Sequence, residues 1–254
     1  MRRVSLLALL AGAALVATAV ILITREGSDR PRSETVLGRG ADRVWLFRPD
    51  GKTKDVVVFV HGLGGPVEDT PRNHRPWIDH LVERGSAVVY PRYEVGASPA
   101  PMKHIVAGVR KALAKLDTEA PVGVIGYSRG GRLALEYAAA SARNGLPEPR
   151  AVMSVFPSAL AVDEYVALTP LDPSTRVLIL VGDHDGIGRQ GALELLHRLR
   201  SAGFPAAHVD AEIVHSTRIF KADHLSALRV SAPARAAFWT PADRLVESAV
   251  RRID

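Results

Sequence analysis

Residues 121–135 read Pro-Val-Gly-Val-Ile-Gly-Tyr-Ser-Arg-Gly-Gly-Arg-Leu-Ala-Leu. Their first half is a short run with β-branched residues, a strand over 122–127. Their second half opens a helical-length segment over 131–143, so strand passes to helix with almost no linker. Ser128 stands at that junction between Gly126 and Gly130. A serine hydroxyl is a poor nucleophile at neutral pH. It needs exposure, a neighbouring base and donors for an oxyanion. A sharp strand-to-helix turn supplies the first need. Its glycines remove side chains where backbones converge, and the helix start aims amide groups at developing negative charge. The five-residue pattern alone is short enough to arise by chance, and the strand before it and helix after it give it weight.

Outward from this unit the same alternation repeats. Residues 44–47, ended by Pro49-Asp50-Gly51, read as an early hairpin strand, and the short apolar runs at 55–60, 87–90, 151–156, 177–181 and 209–214 lack strict alternation, as strands covered on both faces do. Helical-length segments at 77–84, 102–116 and 191–202 lie between them, and a terminal helix is expected near 243–251. The class is therefore α/β: a mostly parallel central sheet with helices on both faces. Between the strands at 151–156 and 177–181 the segment from Pro157 to Thr175 is under twenty residues, so no large cap domain fits there. Residues 66–76, after the run 55–60, are the other segment able to fold over a site.

Composition narrows the function classes. The chain has 254 residues, 47% of them hydrophobic, enough for one substantial core. The net charge is +6, yet Lys and Arg are spread along the chain with no aromatic-interleaved basic run, so nucleic acid is not an expected partner. Attraction to anionic lipid headgroups is the more credible use of such a surface. There is no cysteine, which excludes disulfides, thiolate metal sites and a cysteine nucleophile. After Met1-Arg2-Arg3, residues 4–24 carry no charge. As a helix they span roughly 31 Å, the thickness of a bilayer core. The reading is a membrane anchor over 1–24 with an extracytoplasmic catalytic domain. The small residues Ala17-Thr18-Ala19 leave open a cleaved signal peptide and a secreted protein. Residues 25–34 read as a tether, and 35–254 as the catalytic domain.

The remaining chemistry clusters at predicted strand ends. The run 55–60 leads into His61-Gly62-Leu63-Gly64-Gly65, small residues that let backbone amides approach a substrate carbonyl; the His61 ring is expected to be packed as structure. Gly182-Asp183-His184-Asp185-Gly186 puts two carboxylates after the run 177–181. With no third ligand at recognisable spacing beside His184, no metal site is implied. Two histidines lie beyond the last strand. His215 is at its end; His224, in Ala222-Asp223-His224-Leu225, is on a loop leading to the terminal helix and better placed to reach over the sheet toward Ser128.

As a set, these motifs resemble the α/β-hydrolase family over nearly the whole stretch from Thr35 to the terminal helix, with a weak likeness to dienelactone-hydrolase-like and cutinase-like esterases. The resemblance implies the chain order Ser, Asp, His. It selects Asp185, the second Asp of the Gly-Asp-x-Asp pattern, over Asp183, and favours His224, which an apolar residue follows. It also implies that the backbone amides of Leu63 and Arg129 form the oxyanion hole. The expected activity is a serine hydrolase cleaving carboxylic esters, small or lipid-like, through an acyl-enzyme on Ser128, with no cofactor. An acyltransferase, thioesterase or peptidase would use the same three residues, and a membrane-anchored binding protein on the same scaffold would use none of them.

Overall fold

The computed structural model describes residues 33–63, 70–93, 100–158 and 165–250. The expected anchor lies outside these residues, as does most of the tether; among the described residues no helix is long and apolar enough to cross a membrane. Among the described residues, eight strands form one sheet: β1 (Ser33–Leu37), β2 (Val44–Arg48), β3 (Asp55–Val60), β4 (Ser86–Pro91), β5 (Val122–Tyr127), β6 (Ala151–Val155), β7 (Arg176–Gly182) and β8 (Val209–Val214). Their order is β1-β2-β4-β3-β5-β6-β7-β8. Pairing is antiparallel from β1 through β2 to β4 and parallel from β4 to β8.

Among the described residues, the five longer α-helices cover the two faces of the sheet: α1 (Arg75–Glu83), α2 (Pro101–Leu116), α3 (Arg129–Ser141), α4 (Gly186–Ser201) and α5 (Thr240–Val250). Alternate residues of each central strand serve opposite faces. In β3, Val56, Val58 and Val60 join a cluster with Ile105 and Val109 of α2, Leu133 and Tyr137 of α3 and Leu195 and Leu199 of α4. Val57 and Phe59 join another with Trp77 and Leu81 of α1 and Ala242 and Val246 of α5. All five β3 residues are fully buried. Burying each such side chain is worth on the order of 1.5–3 kcal/mol, which explains an apolar run without alternation.

The structure departs from the sequence reading in several places, among them β8, read as covered on both faces but mostly exposed. Ser33 and Glu34, assigned to the tether, belong to β1, a mostly exposed edge strand whose register with β2 runs from Ser33 opposite Arg48 to Leu37 opposite Val44. Helix α3 begins at Arg129, directly after Ser128. Helix α4 begins at Gly186, five residues before the expected 191, because the Asp185 carboxylate caps it and outweighs the poor helix propensity of Gly186 and Gly188.

At the edge of the sheet where β3 and β4 begin, Asp55 lines a cleft of about 530 Å³ between α1 and α5. Burial pushes its carboxyl pKa up, outweighing the hydrogen bond from Ser86 and the charges of Lys54 and Arg84. A raised folded-state pKa stabilises the fold fully below the unfolded-state pKa, and that contribution is lost as pH rises through the folded value. Asp55→Asn is therefore expected to raise the melting temperature by a few degrees at neutral pH, with the gain shrinking in mild acid. Thermal melts across that range check this; a gain independent of pH would exclude Asp55 ionisation as its cause.

Candidate active site

Ser128 occupies the turn between β5 and α3 with φ 56° and ψ −122°, a conformation L-residues rarely adopt. The turn is tight. A Cβ on Gly126 would lie 2.0 Å from the Gly130 carbonyl oxygen, and one on Gly130 would lie 2.1 Å from that of Val60. Only glycine fits at either position. The strained backbone is pinned on both sides: the Ser128 amide donates to Val155 O at 2.9 Å, and its carbonyl accepts from Gly131 N at 2.8 Å and Ser158 N at 3.0 Å.

The loop carrying residues 215–229 brings His224 over this turn. Its Nε2 lies 2.9 Å from Ser128 Oγ, and its Nδ1 lies 2.9 Å from Asp185 Oδ2. Asp185 is 3% exposed, and its other oxygen accepts from Gly188 N at 3.0 Å as the cap of α4. A carboxylate can only accept, so with the ring proton on Nδ1 the imidazole would turn the lone pair of Nε2 to the serine. Tyr127 steadies the same loop: its hydroxyl donates to the His224 carbonyl oxygen at 2.8 Å, and the two rings lie 5.6 Å apart.

Asp183, His215 and His61 have other partners. The Asp183 carboxylate accepts from Ser216 N at 2.7 Å and, more closely, from Ser216 Oγ; these bonds hold its pKa below the usual range. His215 is 76% exposed at the side chain, with Nδ1 3.8 Å from Asp183. His61 is packed inside, its ring stacked on Tyr93 at 4.2 Å and its nitrogens facing the carbonyl oxygens of Gly62 and Arg92 at 2.6 and 2.7 Å.

Of the expected oxyanion donors, Arg129 supplies the first amide of α3, next to Ser128, while its side chain is fully buried with the guanidinium 5.8 Å from the Tyr93 ring centre. Leu63 follows Gly62, where an added Cβ would come within 3.1 Å of Ser128 Cβ. The loop after β3 therefore passes against the serine. Residues 64–69 of that loop, and 159–164 at the lid position, lie outside the described residues. Tyr127 and Ser158 were not singled out from sequence. Tyr127 is a strand residue with the side chain of any core tyrosine, and Ser158 stands in a connection with no motif.

No protein-family model matches the chain, and no curated relative matches it. Solved structures do. Esterase B from Lactobacillus rhamnosis superposes with a TM-score of 0.66 at 17% identity, covering 97% of this chain and 96% of its own. Carboxyl esterase 2 from the mycorrhizal fungus Tuber melanosporum gives 0.66 at 19% identity over 88% and 89%. An esterase from Pyrobaculum calidifontis gives 0.63 at 19% over 92% and 91%. With the strand order and the helices on both faces, these superpositions identify the architecture: the chain has the α/β-hydrolase fold.

Proposed function

We propose that the chain is a serine hydrolase that cleaves carboxylic esters through an acyl-enzyme on Ser128. The observation that carries this reading is the continuous hydrogen-bond chain from Ser128 Oγ through His224 to the helix-capping carboxylate of Asp185. His224 Nε2 takes the hydroxyl proton as Oγ attacks the acyl carbon, and Asp185 stabilises the imidazolium that forms. The amides of Leu63 and Arg129 receive the oxyanion. The imidazolium then gives its proton to the departing alkoxide, and water releases the acyl group by the same route in reverse. Esters rather than amides fit best, because an alcohol oxygen asks less of the general acid than an amide nitrogen does. The esterase names of the structural neighbours point the same way.

A fluorophosphonate probe tests the central step. The full chain is expected to be labelled, with the adduct mapped by mass spectrometry to Ser128, and Ser128→Ala to remain unlabelled. An unreactive wild type, or equal labelling of the alanine variant, sinks the reading.

A further inference from the structure

A second hydroxyl reaches the reacting atom. Ser158 Oγ lies 3.2 Å from Ser128 Oγ, on a residue whose amide already donates to the Ser128 carbonyl at 3.0 Å. The direction of this contact follows from the far end of the chain. Asp185 as a carboxylate can only accept, so His224 Nδ1 donates and Nε2 presents a lone pair. The single Ser128 hydroxyl proton then points to Nε2. Ser128 Oγ has only lone pairs left for Ser158, so the Ser158 hydroxyl is the donor.

The local fold is built to hold that hydroxyl. Phe156, at the end of β6, takes φ 49°, a left-handed conformation unfavourable for an aromatic residue. Pro157 is wedged between two helices: a Cβ on Gly131 of α3 would lie 3.1 Å from its Cα, and one on Gly191 of α4 would lie 2.0 Å from its carbonyl oxygen. The chain tolerates a strained residue and two close backbone approaches, and Ser158 emerges from them beside Ser128. Strain of this kind persists only where the surroundings over-determine it.

We propose that Ser158 is a further catalytic residue, a hydrogen-bond donor to Ser128 Oγ that holds the nucleophile's proton on His224 and supports Oγ as a leaving group. The proposal rests on the reading of Ser128 as the nucleophile. During acylation the Oγ–C bond forms and the Oγ proton passes to Nε2, which returns it to the departing alcohol oxygen. During deacylation water adds to the acyl carbon and gives a proton to Nε2; the C–Oγ bond breaks, and Oγ takes that proton. Ser158 keeps its own proton throughout. Its donor bond, long at rest for an O–H···O contact, strengthens as charge builds on Oγ.

The test is turnover of 4-nitrophenyl acetate by the full chain, followed through the pre-steady-state burst and the steady state. Ser158→Ala is expected to lower kcat about 3- to 10-fold with KM unchanged and the burst retained, the size of one neutral hydrogen bond lost from a transition state. Ser158→Thr, which restores the hydroxyl, is expected to recover at least half of that loss. Should alanine fail to fold, Ser158→Cys keeps the volume with a weaker donor and is expected to fall between alanine and wild type. A kcat for the folded alanine variant equal to that of wild type, or a threonine variant no better than alanine, overturns the proposal. Fluorophosphonate labelling separates the two levels. If Ser128 labels normally while Ser158→Ala is indistinguishable from wild type, only the role of Ser158 falls; if wild type does not label, the nucleophile reading falls with it.

Discussion

His224→Ala is expected to lower ester turnover by on the order of 10⁴-fold or more, with His215→Ala within about twofold of wild type. The asymmetry follows from geometry. His224 bridges Ser128 and Asp185 with two 2.9 Å contacts. His215 is largely in solvent beside Asp183, a carboxylate already engaged by Ser216. In the proposed mechanism, removing His224 takes away the acceptor for the hydroxyl proton and the donor for the leaving group in one step. The residues of such a chain act as a unit, so its loss should approach that of Ser128→Ala, and the double variant should be little worse than either single one. Steady-state rates on one activated ester for all four variants decide the matter. Comparable activity in His224→Ala and His215→Ala would falsify the assignment of His224 as base. The same comparison between Asp185→Asn and Asp183→Asn addresses the acid, with the larger loss expected at Asp185.

The second large effect concerns stability. Glu136, on α3, is fully buried and accepts on Oε1 from Arg132 Nη1 at 2.6 Å and Arg198 Nη2 at 2.8 Å. Arg132 lies on the same helix, whereas Arg198 lies on α4 and also donates to the Val166 carbonyl at 2.7 Å. Its guanidinium sits 4.4 Å from the Tyr165 ring centre. Glu136→Ala leaves two nearly buried guanidinium groups without the anion between them. Breaking such a group by removing one partner costs about 3–5 kcal/mol, against a total stability on the order of 5–15 kcal/mol. Denaturant unfolding should show a midpoint lowered accordingly at unchanged slope. A loss under about 1 kcal/mol would mean that water replaces the carboxylate cheaply and that the site is less dry than its burial implies. The consequence reaches the active site, because Glu136 and Arg198 join the helix that begins beside Ser128 to the helix that Asp185 caps. Loss of activity at temperatures below the melting transition is therefore expected to accompany the loss of stability.

Much of this architecture was legible in the residues themselves. The β-branched run 55–60 and the segment 121–135 each carry a local signal, short strands needing burial on both faces and a helix started by a turn, that few alternatives satisfy. Strand β1 was not legible, because Ser33-Glu34-Thr35-Val36-Leu37 has little apolar content and is held by its pairing with β2. The early start of α4 was hidden for a related reason: Gly186 and Gly188 argue against a helix until the Asp185 side chain is seen to cap it.

By itself, then, the sequence determined the alternation of strand and helix and the placing of Ser128 at a strand-to-helix turn, since propensity and periodicity act over a few neighbouring residues. Only the tertiary structure decided which distant groups meet that serine. His224 is 96 positions away in the chain, Asp185 is 39 from His224, and Ser158 is 30 from Ser128. Those meetings depend on the order in which β5, β6, β7 and β8 lie side by side, each delivering its loop to the same edge of the sheet. No local pattern encodes that order. It follows from burying both faces of one sheet at once, a property of the folded chain as a whole.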